Sequence, residues 1–163
     1  MLFDLVEEKK RKKVKKMPEA SFSFPKSEKI VSKKIIDRLF AGSGSRAMSA
    51  FPVRLVYIIL NEGDEALTVK GRNEGRSAAQ VLISVPKRYF RHAVDRNRVK
   101  RQIREAYRKH RNLFALPEGK YLAMAFIWMD HRHHATEEVE RKIVNLLQRM
   151  QEKSINTLVK AEA

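Results

Sequence analysis

The stretch that decides the fold runs from residue 96 to residue 108 and reads RNRVKRQIREAYR. At about 100° per residue its apolar side chains form one stripe of an α-helix, wide enough to seat the helix on a core. That stripe comprises Val99, Ile103, Ala106 and Tyr107. A polar row lies on the far side and comprises Asn97, Arg101, Arg104 and Arg108, flanked by Lys100 and Arg111. Because like charges one turn apart repel, the row indicates an anionic partner, and phosphate suits the guanidinium fork best.

Strands lie on both sides of this helix in the sequence. Residues rich in β-branched and aromatic side chains predict one strand at 51–60 and another at 79–85, which Pro86 ends. The alternation in the first strand places Arg54 and Val56 on the same face. The stretch 121–129 is apolar on both faces, which predicts a central strand covered on both sides.

Helical periodicity predicts three helices, at 27–40, 91–114 and 136–158, with Ser32 as a candidate N-cap of the first. A glycine-rich segment at 41–45 is predicted to be a flexible loop. The polar segment 61–76 is also predicted to be a loop, with a short extra strand at 67–70. This order of elements predicts an α+β protein in which helices pack on a mixed sheet.

Composition points to a nucleic-acid partner. The chain has 163 residues and 43% hydrophobic content, enough for one domain with a real core. Its 35 Lys and Arg against 19 Asp and Glu give a net charge of +16, which favours nucleic acid first and an anionic membrane surface second. No apolar run is long enough to span a membrane. There is no cysteine, so disulfides and thiolate chemistry are excluded, and we expect a cytoplasmic protein.

We expect three regions along the chain. Residues 1–24 are predicted to be a basic, disordered tail, because 9–16 is basic at almost every position. The tail either adds nonspecific RNA affinity or only increases solubility. Residues 25–158 are predicted to form the domain, and 159–163 a C-terminal tail.

No constellation of catalytic residues stands out in the sequence. The cluster His131, His133 and His134 lacks the spacing of a zinc site, and we expect no metal bound there. There is no phosphate-binding Gly-Lys-Ser/Thr motif and no carboxylate cluster typical of a two-metal nuclease. We therefore expect binding and electrostatics from this chain, with no catalytic residue of its own.

The basic helix and the residues just before it carry a family resemblance. The motif positions are Arg96, Asn97, Arg98, Lys100, Arg101, Arg104 and Glu105, preceded by Ser84, Val85, Lys87, Arg88, Ala93 and Val94. With Phe40 shortly before Gly42, these positions resemble the protein subunit of bacterial ribonuclease P. The similarity spans about residues 26–155 and is most specific at 84–108. Two departures are a link at 89–92 that lacks the usual glycine, and Ile36 where an aromatic is common.

The resemblance implies a fold like domain 2 of ribosomal protein S5, with a mixed four-stranded sheet, about three helices and the order αβββαβα. It implies a ribonucleoprotein that removes the 5′ leader from precursor tRNA. The RNA subunit would be the catalyst and would hold Mg²⁺, and the protein would have no small-molecule cofactor, would not bind membranes and would be monomeric without RNA.

The resemblance also implies two sets of site residues. RNA binding is expected of Arg96, Asn97, Arg98, Lys100, Arg101, Arg104, Arg108, Lys87 and Arg88. A cleft for the single-stranded leader is expected at Phe40, Ile36, Arg54 and Val56.

Alternatives stay open at several of these residues. Arg96 either contacts RNA or braces the helix start through Asp95, and Glu105 is expected to pair with Arg101 or Lys109. Phe40 and Ile36 either line the cleft or pack in the core, and core packing is favoured for Ile36. Tyr89 and Phe90 are expected in the core more than on RNA. As whole functions, a ribosomal or general RNA-binding protein and a DNA-binding protein remain competing interpretations.

Overall fold

The computed structural model describes residues 26–30, 32–42, 44–67, 78–156 and 158. Within them the chain forms three α-helices and four β-strands in the order αβββαβα. In chain order these are α1 (Lys33–Phe40), β1 (Arg46–Ala50), β2 (Val53–Asn61), β3 (Ala79–Ser84), α2 (Ala93–His110), β4 (Lys120–Trp128) and α3 (Thr136–Met150). The predicted α+β class and element order are confirmed.

The four strands form one mixed sheet in the order β1-β2-β4-β3. β1 pairs with β2 and β2 pairs with β4 in antiparallel orientation, whereas β3 and β4 are parallel. A parallel pair needs a crossover connection, and α2 provides it between β3 and β4. β4 therefore has a neighbour on each side, as its almost continuous apolar sequence predicts.

Helices cover both faces of the sheet. Helices α2 and α3 pack on one face, where Met124, Phe126 and Trp128 of β4 are fully buried in the larger core. Helix α1 packs on the other face, where its Ile35 and Leu39 are buried in a smaller cluster with small sheet residues such as Ala123 and Ala125. The basic helix α2 thus lies on the first face of the sheet, and the side chain of Arg54 in β2 lies on the second.

The extra strand lies in a different place from the predicted one. We predicted it at 67–70, but Leu67 belongs to a 3₁₀ turn, and 68–70 lie outside the described residues. The structure instead forms β1 from Arg46–Ala50, immediately after the segment 41–45 that was predicted as a loop. Its sequence has little intrinsic strand preference, so pairing with β2 decides its conformation.

The helices are shorter than predicted. The first begins at Lys33 rather than near residue 27, because the preceding chain forms a 3₁₀ turn and a bridge from Lys29 to Val81. Ser32 stands at the N-cap position but makes no side-chain capping hydrogen bond. Helix α2 ends at His110 and is followed by a 3₁₀ turn, and α3 passes at Met150 into a wider π-helical turn.

The predicted tails at 1–24 and 159–163 lie outside the described residues. Within the described part of the chain, no helix is both long and apolar enough to cross a bilayer.

Candidate RNA-binding surfaces

Helix α2 is seated on the core by the stripe that its sequence predicts. Val99, Ile103, Ala106 and Tyr107 are all at most 3% exposed. Gln102 is also buried, and its Nε2 donates hydrogen bonds to the carbonyl oxygen of His134 at 3.0 Å and to Thr136 Oγ1 at 3.2 Å. These bonds tie α2 to the start of α3, so the rotation of α2 about its axis is set and its polar side faces outward.

The outward side of α2 carries the predicted cationic row. Asn97, Arg98 and Arg101 are exposed, and Lys100, Arg104 and Arg108 are partly exposed. Glu105 pairs with Arg108, whose Nη2 lies 2.6 Å from Glu105 Oε2. The predicted pairing of Glu105 with Arg101 or Lys109 is therefore wrong; the observed partner is one turn away at i,i+3, a neighbour on the helix surface like the i,i+4 positions that were predicted. The exposed Arg98 and Arg101 keep this side of the helix cationic.

Two arginines of the motif region have structural partners. Arg96 Nη1 donates to the carbonyl oxygens of Phe90 at 2.9 Å and Arg91 at 2.8 Å, so it braces the loop that enters the helix. The brace runs to backbone carbonyls and not through Asp95, which was one of the two alternatives considered for Arg96. Arg111, predicted to flank the cationic row, instead forms an ion pair with Glu28. Burial of Glu28 raises the pKa of its carboxyl group, an effect that Arg111 partly offsets.

The turn between β3 and α2 extends the positive surface. Lys87 and Arg88 are exposed, and the Arg88 guanidinium lies 4.8 Å from the centre of the Tyr89 ring. Phe90 is only 7% exposed, and its ring stacks on that of His133 at 4.5 Å between centroids. Phe90 therefore packs in the core, as predicted, while Tyr89 is partly buried against it. Lys87 and Arg88 project beside the start of the cationic row.

The histidine cluster supports the start of α2 and α3. His133 Nε2 lies 3.0 Å from Asp95 Oδ1. His134 Nε2 lies 2.6 Å from Asp130 Oδ2, and its Nδ1 lies 3.2 Å from Glu138 Oε2. Burial lowers the pKa of His134, but hydrogen bonds to the two carboxylates outweigh it and raise the pKa overall. The hydrogen bond from His134 lowers the pKa of Asp130. Sequence reasoning noticed the histidines but not these partners.

The described residues do not offer a metal site. Within the ranges that the structure describes, no three His, Asp or Glu side chains are grouped so that they could hold a metal ion. Each imidazole of the 133–134 pair is instead matched with one or two carboxylates. The donor set in this part of the chain therefore does not fit a resident magnesium or zinc ion.

The predicted cleft residues all lie on the sheet face that α1 covers. Phe40, at the end of α1, is 51% exposed, whereas Ile36 is partly buried against the smaller core cluster. On β2, Arg54 is exposed, but Val56 is only 7% exposed and contacts that cluster. Phe40 and Arg54 can therefore touch a ligand directly. Ile36 is only partly accessible to a ligand, and Val56 can contribute only to the floor of the predicted cleft.

Comparison with known proteins places this arrangement in a family. A family model described as Ribonuclease P matches residues 24–151. A protein of Porphyromonas gingivalis named ribonuclease P protein component is 34% identical over 134 residues, which are 80% of this chain and 88% of that protein. The chain belongs to the ribonuclease P protein family.

Other members of the ribonuclease P protein family agree with this assignment. The component from Chlorobaculum tepidum is 34% identical over 125 residues, covering 73% of this chain and 75% of that protein. The fold resembles the ribonuclease P protein of Thermotoga maritima, with a TM-score of 0.53, 17% identity and coverage of 75% and 96% of the two chains. The Staphylococcus aureus protein gives a TM-score of 0.53 at 18% identity, covering 78% and 97%. Membership implies a part in tRNA processing alongside ribonuclease P RNA.

In this ribonuclease P protein, the tertiary structure divides the predicted residues into two groups on opposite faces of the sheet. Helix α2 and the preceding turn form one basic surface, and Phe40 and Arg54 mark the other. Arg96 and Val56 belong to the scaffold of these surfaces rather than to their exposed parts.

Proposed function

We propose that this chain is the protein subunit of a ribonuclease P holoenzyme. It binds the catalytic RNA through the cationic side of α2 and holds the 5′ leader of precursor tRNA on the opposite face of the sheet. Binding at both surfaces promotes the magnesium-dependent endonucleolytic removal of the leader in the cytoplasm. The observation that carries the proposal is the outward cationic row of α2 in a chain of this family.

The α2 surface fits a folded RNA by charge and shape. The row presents guanidinium groups along successive helical turns, and each can donate two parallel hydrogen bonds to a phosphate. Glu105 engages Arg108, while Arg98 and Arg101 are exposed on the outward side of the helix. If about six phosphates are neutralised, the plot of log affinity against log salt should have a slope of roughly −4 to −5.

The opposite face suits a single strand. The exposed Phe40 ring offers a stacking platform, and stacking tolerates any base, as a leader of variable sequence requires. Arg54 supplies a cation on the same sheet face. Ala123 and Ala125 of β4 and Val56 of β2 are buried on the same face, in the cluster under α1.

We assign phosphodiester hydrolysis and the magnesium ions to the RNA subunit. This follows the family resemblance, and among the described residues no three His, Asp or Glu side chains are grouped so that they could hold a metal ion. The protein's part is to bind, orient and neutralise charge, which lowers the magnesium concentration that the particle needs.

Cleavage of a precursor tRNA by a bacterial ribonuclease P RNA at low magnesium tests this function. We expect cleavage at the junction of leader and tRNA only when the protein is present. No stimulation with a cognate RNA would overturn the proposal and favour a ribosomal or general RNA-binding protein. The DNA-binding interpretation predicts a helix before the recognition helix, but β3 and a turn precede α2 instead.

A further inference from the structure

A groove between edge strand β1 and helix α3 has a lining in which cations outnumber carboxylates three to one. Its volume is about 400 Å³, and its charged lining consists of Arg141, Lys142, Arg149 and Glu138. Glu138, the single carboxylate among the described lining residues, is already matched with His134 at 3.2 Å. Arg149 Nη1 donates to the carbonyl oxygen of Ser49 at 2.9 Å, which fixes the helix against the edge of the sheet.

A second cavity with a positive lining lies at the other end of β1. Its volume is about 280 Å³, and it is lined by Arg46 and Lys120, with no carboxylate among its described lining residues. Arg46 Nη1 donates to Ser154 Oγ at 3.3 Å, and that hydroxyl also bonds to the buried Tyr57 hydroxyl. The two cavities begin at opposite ends of a five-residue strand, so they are about 13 Å apart at 3.3 Å per residue. We call the two together the β1-edge groove.

An exposed aromatic ring stands at one end of this groove. Phe51 follows the last residue of β1 and is 58% exposed, which is unusual for a large apolar side chain. Its ring lies edge-on to His134, at 6.2 Å between centroids. His134 in turn contacts Glu138 of the groove lining, so the ring is held at the groove's end. An exposed ring beside a basic groove is the combination with which proteins bind single-stranded nucleic acid.

The β1-edge groove is separate from the α2 surface. β1 forms one edge of the sheet and β3 the other. Helix α3 contacts β1 and β2, whereas α2 contacts β3. The cationic row of α2 therefore lies towards the opposite edge. The cavity beside α3 lies on the sheet face opposite to α1, whereas the second cavity also reaches Ile58, which packs in the cluster under α1.

We propose that the β1-edge groove binds a single-stranded RNA segment, with Arg141, Lys142 and Arg149 on its phosphates and Phe51 stacked on an unpaired base. The protein then has a third RNA contact, which lets one small chain hold two RNA segments at opposite edges of its sheet. The proposal does not depend on the identity of that RNA.

The test uses a labelled single-stranded oligouridylate and the full-length chain. Binding is measured over a range of salt concentrations in the background Phe40→Ala/Arg101→Ala/Arg104→Ala, which weakens both surfaces described above. We then compare Arg141→Gln/Lys142→Gln with the charge-matched control Lys33→Gln/Lys34→Gln, whose substituted residues are exposed on α1. Because each lost phosphate contact on a single strand changes the salt slope by about 0.7, the groove variant should lower it by about 1.4 and the control should not.

Phe51→Ala gives an independent readout. Loss of one stacked base should weaken binding by about 5-fold to 100-fold and leave the salt slope unchanged, because no charge is removed. Circular dichroism spectra and urea midpoints establish that each variant is folded. Equal effects of the groove variant and the control on the slope, or unchanged affinity of Phe51→Ala, would overturn the proposal. The probe contains neither tRNA nor ribonuclease P RNA, so its result stands apart from the cleavage assay.

Discussion

At the scale of single residues, the motif arginines differ in what they do. Arg101 is exposed on the outer side of α2, whereas Arg96 is turned inward to two backbone carbonyls. Sequence spacing cannot separate these two cases, because both residues belong to the same basic motif. The separation comes from the loop at Phe90 and Arg91, whose carbonyls lie within reach of Arg96 only after that loop has folded.

Arg101→Ala/Arg104→Ala should weaken binding of ribonuclease P RNA. Two phosphate contacts are lost, so the salt slope should fall by about 1.4 to 1.8 in magnitude. Filter binding at several salt concentrations measures this change. Lys33→Ala/Lys34→Ala, which removes the same charge from α1, serves as the control. An unchanged slope in the arginine variant would refute the role assigned to the α2 row.

Arg96→Ala should reduce stability more than Arg98→Ala. Arg96 donates two hydrogen bonds to carbonyls of the entry loop, whereas Arg98 is exposed. Hydrogen bonds from a charged group contribute about 1.5–3 kcal/mol, so we expect a loss of about 1–3 kcal/mol in the free energy of unfolding. Urea denaturation measures it. Equal midpoints for the two variants would show that the brace contributes nothing.

Stability should depend on pH through His134. Its pKa is raised in the folded state, so its contribution is fully present below its unfolded value of about 6.5 and is lost as the pH rises through the folded value. The pKa of Asp130 is lowered, so its contribution is present above its unfolded value and is lost as the pH falls through the folded value. We therefore expect lower urea midpoints at about pH 8 than at about pH 6. His134→Gln should reduce this difference, and an undiminished difference would contradict the assignment.

At the scale of elements, α1 and β2 show how packing determines which side chains are exposed to solvent. Two residues of α1 are buried against the sheet, and this leaves Phe40 exposed at the helix end. The same packing buries Val56 of β2, which alternation alone had placed beside Arg54 on an accessible face. Fewer residues of the predicted cleft can therefore contact a ligand than the strand pattern predicts.

Phe40→Ala should weaken binding of precursor tRNA while leaving the affinity for ribonuclease P RNA unchanged. A stacked base contributes about 1–3 kcal/mol, and the side chain is exposed enough for its removal to disturb the core little. Binding of precursor with and without its leader to the assembled particle measures the effect. Phe40→Trp should preserve binding. If the leaderless tRNA lost as much affinity as the precursor, Phe40 would not contact the leader.

At the scale of the whole molecule, one core holds the RNA-facing elements together. Phe126 of β4 is fully buried, and its ring lies 6.1 Å from that of Tyr107 on α2. The same cluster includes Ile143 and Leu146 of α3. The α2 surface and the β1-edge groove are therefore positioned by a common core, and damage to that core affects both.

Phe126→Ala should destabilise the protein by about 3–5 kcal/mol, because it leaves a large cavity between the sheet and its helices. This is a substantial part of the roughly 5–15 kcal/mol that stabilises a typical domain. Thermal and urea denaturation measure the loss. The milder Phe126→Leu should retain more stability. A change below about 1 kcal/mol would mean that the core can close around the missing ring.

The sequence by itself determined α2, its buried stripe and its basic row, because periodicity places side chains on faces without any partner. It also determined β2, β3 and β4, whose apolar patterns are strong and local. With the family resemblance it indicated the topology and most of the α2 surface residues. The helix ends shifted by several residues, because hydrogen bonds to neighbouring segments compete with the last turns.

Only the tertiary structure decided the remainder. β1 exists because β2 offers it a pairing edge, and its own residues do not favour a strand. Arg96 and the two histidines at 133–134 take partners that depend on how loops fold over α2 and α3. The β1-edge groove joins residues about 100 positions apart, such as Ser49 and Arg149. Local patterns describe which way a side chain points, but contacts between distant segments decide what it meets.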